Sequence, residues 1–101
     1  MAKTYKTERG LKTALKKVLG EESKATENGT MSKGFLMFPV EKDKKYRVIM
    51  ISEEGLPQEY NGMSYPDWAC TLEEDFGGEA NVTVMFKRNR YYVDIPLEVS
   101  K

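Results

Sequence analysis

The stretch FLMFPVEKDKKYRVIMIS, residues 35–52, constrains the fold more than any other: it reads as a β-hairpin in which almost every position on both faces is apolar. Successive strand residues point to opposite faces, so this hairpin needs cover on two sides. Residues directly opposite in an antiparallel pair share a face, which lets the register be read from the pattern. Pairing Val40 with Tyr46 across residues 41–45 puts Phe38 opposite Val48 and Leu36 opposite Met50 on one face. The other face then carries Phe35 opposite Ile51 and Met37 opposite Ile49, with Pro39 beside Arg47. A slip of one residue sets Phe38 against Arg47 and Val40 against Lys45, mixing charge with apolar surface. The first register is therefore expected.

One element can supply cover for one face. Leu11, Ala14, Leu15, Val18 and Leu19 recur at the spacing of a single helical stripe over residues 7–19. Thr7 or Thr4 is suited to cap its start, and Gly20 follows as a stop. Gly10 weakens the first turns by roughly 1 kcal/mol, so the helix depends on packing. Lys6, Arg9, Lys12, Lys16 and Lys17 fall on the opposite arc. Residues 21–33 are polar, contain the turn signal Asn28-Gly29, and read as a loop.

A second hairpin, NVTVMFKRNRYYVDIPLEV, closes around Arg88-Asn89 and pairs Phe86 with Tyr91, Val84 with Val93 and Val82 with Ile95 on a core face. Met85 with Tyr92 and Thr83 with Asp94 form its solvent side. Pro96 donates no ladder bond, which places the last strand at an edge or leaving the sheet. Between the hairpins, residues 52–80 form an acidic irregular segment. There residues 68–72 fit either a short helix entered at Pro66 or a strand with Trp68, Cys70 and Leu72 on one face. Three acids at a helix C-terminus oppose its dipole, so the strand is expected. The chain of 101 residues is expected to be a single α+β domain. Its N-terminal helix packs on a four- or five-stranded antiparallel sheet of two hairpins, open or closed into a small barrel.

Composition excludes several chemistries. There is no histidine and only one cysteine, Cys70, so an internal disulfide, the usual zinc sets and histidine-based catalytic relays are unavailable. Adjacent carboxylates without the spaced ladder of a calcium loop give no metal site, no cofactor is implied, and the chain is not expected to be an enzyme. No run of about 18 apolar residues suggests a membrane span, and no secretory signal is visible, so the cytoplasm is the expected location.

Two surfaces invite partners. The net charge of zero conceals six bases and one acid in residues 1–20, against eight acids and no base in residues 52–80. Exposing a second apolar hairpin face would forfeit several kcal/mol at about 25 cal/mol per Å². Phe35, Met37, Ile49 and Ile51 are therefore candidates for contact with a protein partner or a second copy. Tyr60, Tyr65, Glu73, Glu74 and Asp75 of the acidic segment join them. The alternative is nucleic acid, bound by Lys12, Lys16 and Lys17 on the helix and by Lys87, Arg88, Arg90 and Tyr92 at the second hairpin tip. The opening helix sequence YKTERGLKTALKK, residues 5–17, resembles the start of small uncharacterised bacteriophage accessory proteins. That resemblance implies a short α+β domain that binds a host protein as an inhibitor or modulator, working in the host cytoplasm; it assigns no site.

Overall fold

In the computed structural model, which describes residues 7–42, 44–60, 65–77 and 82–97, helix α1 spans Glu8–Leu19. The Thr7 side chain accepts the Gly10 N–H at 3.1 Å, capping the first turn. Thr4 lies outside the described residues. At the other end Gly20 takes φ 96°, and its N–H donates to the Lys16 carbonyl. Leu11 and Leu15 are wholly buried, and Ala14, Val18 and Leu19 pack beside them. The expected stripe is the face that meets the sheet.

The sheet contains strands β1 (Gly34–Glu41), β2 (Lys45–Ile51), β3 (Thr83–Lys87) and β4 (Arg90–Pro96) in the order β1-β2-β4-β3. All neighbours are antiparallel. Its two edges do not meet, so the sheet is open and not a barrel. The β3–β4 hairpin has the register read from the sequence, from Thr83 opposite Asp94 to Phe86 opposite Tyr91. Arg88 and Asn89 both take positive φ, 52° and 63°. This is the two-residue turn whose twist suits a hairpin.

The β1–β2 hairpin is displaced by one residue from the expected register. Phe35 faces Met50, Leu36 faces Ile49, Met37 faces Val48 and Phe38 faces Arg47, with a bulge between Pro39 and Glu41. The charge that counted against this arrangement is satisfied by a third strand: Arg47 sits opposite Asp94 of β4. The bulge absorbs one residue near the turn and lets Glu41 face Lys45. As a result Phe35 and Met37 join Tyr46 and Val48 on the helix side, while Leu36 and Phe38 join Arg47 and Ile49 on the other.

Residues 67–72 form helix α2, not a strand, and the chain continues as a π-helical turn over Glu73–Gly77. Pro66 supplies a fixed extended entry, and its carbonyl accepts the N–H groups of Ala69 and Cys70. Ala69, Leu72 and Phe76 are buried, a helical spacing that outweighs the dipole argument. Glu73 and Glu74 are exposed, so water solvates their charge.

The core lies between the two helices and one face of the sheet. Tyr46 ties the layers together by donating its hydroxyl proton to the Glu8 carboxylate at 3.2 Å. Residues 21–33 lie against the free edge of β1, where Ser23 N–H donates to the Phe35 carbonyl at 2.7 Å. Close approach there requires Gly34, whose φ is 150° and whose missing Cβ would lie 2.5 Å from the Glu21 carbonyl oxygen.

Candidate functional site: the open face of the sheet

Both helices lie on one side of the sheet, and among the described residues no helix lies against its other face. By strand alternation that face presents Leu36 and Phe38 from β1, Arg47 and Ile49 from β2, Tyr92 and Asp94 from β4, and Thr83 and Met85 from β3. Leu36 is paired with Ile49, and Met85 with Tyr92. The β2–β4 ladder ends at Val48 and Val93; beyond it the Met50 carbonyl accepts the Gln58 N–H and Ile51 is bridged to Pro57. Leu36–Ile49 and Tyr92–Met85 thus form an apolar row interrupted between β2 and β4.

Beside this row, Arg47 and Asp94 form a two-pronged ion pair, Nε to Oδ1 at 2.8 Å and Nη2 to Oδ2 at 3.1 Å. The Arg47 guanidinium carbon also sits 5.5 Å from the centre of the Tyr92 ring, a cation–π contact. The hydrogen bonds that Arg47 donates to the Asp94 carboxylate raise the Arg47 pKa above its ordinary value, against the opposing effect of burial. Asp94 is buried, and the two-pronged bond fixes both groups against each other on the open face. Phe38, 39 % exposed, stands next to Arg47, and the bulged Val40 is exposed at the end of β1.

The residues assigned from sequence to a protein interface are not brought together. Phe35, Met37, Ile49 and Ile51 are all buried within a single chain and cannot form the docking surface expected of them. Phe35 and Met37 belong to the core under the helices. Ile49 is enclosed by its neighbours on the open face, and Ile51 is bridged to Pro57. Leu36 and Phe38 occupy the outward positions, because the one-residue slip exchanges the faces of β1. Tyr60 and Tyr65 lie elsewhere, in edge contact with Tyr91 at ring distances of 5.6 and 5.4 Å. Trp68 Nε1–H donates to the Tyr60 hydroxyl at 3.0 Å, so Tyr60 is held as structure, while Tyr65 remains exposed.

The acidic segment is partly neutralised from within. Glu53 pairs with Lys33 and Glu59 with Arg90, both at 3.3 Å. A surface concavity of about 530 Å³ is lined by Glu53, Glu54, Glu59 and Tyr60 among others. Its carboxylates are exposed. Glu73, Glu74 and Asp75 do not converge: among the described residues no group of three or more carboxylates or thiols is placed to hold a metal ion.

The nucleic-acid set is divided. Lys16 and Lys17 are exposed on α1, Lys12 pairs with Glu22 at 3.2 Å, and all three lie on the helix side of the sheet. Lys87, Arg90 and Tyr92 alternate onto the open side, and Arg88 occupies the turn. The signal for the open-face pair was present in the sequence: Arg47 and Asp94 are the charges in the interior of otherwise apolar strands, whose other charges, Lys45 and Arg90, stand at strand ends. Sequence reading missed that they belong to neighbouring strands. No known protein family, curated protein or solved structure matches the chain.

Proposed function

We propose that the chain is a non-enzymatic protein-binding module that docks through the open face of its sheet. The observation that supports this reading is the exposed ring of Phe38 beside half-buried Leu36, Met85 and Tyr92, on a face that no helix covers among the described residues. Aromatic side chains and a neutralised arginine on a flat apolar surface are the composition of an interface centre. Lys45, Lys87 and Arg90 alternate onto the same face, so the partner is a protein whose apolar patch is rimmed by acids. A role as inhibitor or modulator of a host macromolecule, as the resemblance at residues 5–17 implies, is one such use.

Nucleic acid is less well supported. Its phosphates would meet bases on opposite sides of the sheet and a buried carboxylate, Asp94, in the middle of the open face.

The test compares what immobilised variants retain from an extract of the source cells. A protein held by the native chain and by Lys17→Glu, but lost with Phe38→Glu at unchanged circular dichroism, is the expected result. Retention that ignores Phe38→Glu, or that disappears on nuclease treatment, would overturn the reading.

A further inference from the structure

The two edges of the sheet are defended unequally. The β1 edge has Pro39, a bulge at Val40, and the 21–33 loop hydrogen-bonded to Phe35, each a means of blocking further strand pairing. The β3 edge has none of these. Thr83–Lys87 contains no proline and no bulge, and among the described residues no strand or bridge pairs with its outer side.

The turn geometry states which backbone groups that edge offers. In a two-residue hairpin the residues flanking the turn exchange both hydrogen bonds, and the pattern then alternates. Lys87, Met85 and Thr83 thus direct their N–H and C=O groups to β4, and those of Val84 and Phe86 point away from the sheet. Phe86 is also 41 % exposed, leaving an apolar ring beside unpaired backbone.

We propose that β3 pairs antiparallel with β3 of a second copy of this chain, about a two-fold axis through Met85. In that register Val84 faces Phe86 of the copy and Phe86 faces its Val84, so the outward backbone groups satisfy one another. Met85 lies opposite itself, and Lys87 lies opposite Thr83, so no like charges face each other. The flanks select this arrangement. Residues 87–90, which leave β3, hold three bases and no acid. An antiparallel copy puts the two basic tips at opposite ends of the pairing, with Lys87 against Thr83; a parallel copy would set the two basic tips together. The axis is perpendicular to the sheet, so both helix layers stay on one side and the apolar rows of the two open faces meet at Met85.

This inference does not require the docking partner: dimerisation is read on the isolated chain, whereas the docking reading is tested by partner retention with Phe38→Glu on β1. Sedimentation velocity over a wide concentration range should show a monomer–dimer equilibrium. Met85→Lys, which sets two ammonium groups across the axis, should raise the dimer dissociation constant roughly tenfold at unchanged circular dichroism. Only this register puts residue 85 opposite itself, at about 4.5 Å between Cα atoms, within disulfide reach. In a Cys70→Ser background, Met85→Cys should therefore cross-link to a covalent dimer under mild oxidation much faster than Thr83→Cys does. A monomer at every concentration, or equal cross-linking of the two cysteine variants, would overturn the proposal.

Discussion

At the residue scale, the most informative pair is Arg47 and Asp94. Each is the one charge in the interior of an apolar strand, and each is acceptable only because the other stands opposite on the next strand. Removing one partner leaves the other half-desolvated. Asp94→Ala should cost about 1–3 kcal/mol in urea unfolding, whereas replacing both by leucine should leave stability within about 1 kcal/mol of native. If the single and double variants lose equally, the pair is not coupled as described. The pH consequence follows from the direction of the shift. Arg47 is a base with its folded pKa raised, so the stability it adds is fully present below its ordinary pKa and is lost only as pH rises through the higher folded value. Stability at neutral to moderately alkaline pH does not depend on its titration.

At the element scale, the two hairpins differ in how far the sequence specified them. The β3–β4 register was legible because a two-residue turn leaves no slack, and both turn residues adopt the positive φ it demands. The β1–β2 register was not, because its longer connection admits a bulge and the decisive partner of Arg47 lies on a strand nearly fifty residues away in sequence. A pairing judged within one hairpin cannot see that partner. The helical stripe of α1 was legible for the same local reason as the tight turn. Helix α2 was misjudged because the three acids were placed at a helix end, where the chain instead continues into a π-helical turn that buries Phe76. Arg88 bears the cost of a left-handed conformation that a side chain of its kind rarely adopts. Replacing Arg88-Asn89 by Asn-Gly should therefore raise stability by about 1 kcal/mol, read as a shift in the denaturation midpoint at constant slope.

At the scale of the whole molecule, one sheet separates two environments. Its helix side is a closed core; its other side is an apolar row trimmed by a salt bridge and bordered by bases. The excess of apolar side chains in residues 35–52 thus has a mixed fate, part sealed under α1 and part left on the open face. Sequence alone identified the excess, but the bulge at Val40 decided which side chains went where. The candidate interface changed with it, from Phe35 and Met37 to Leu36 and Phe38. Everything proposed for the open face depends on that division.

The most direct measurement is therefore the urea unfolding of Phe35→Ala and Phe38→Ala, two neighbouring phenylalanines placed on opposite sides of the sheet. Phe35→Ala should lose about 3–5 kcal/mol, as a buried ring does, and Phe38→Ala less than about 1 kcal/mol, as a surface change does. Equal losses, or the reverse order, would contradict the register and remove the open face as a docking surface.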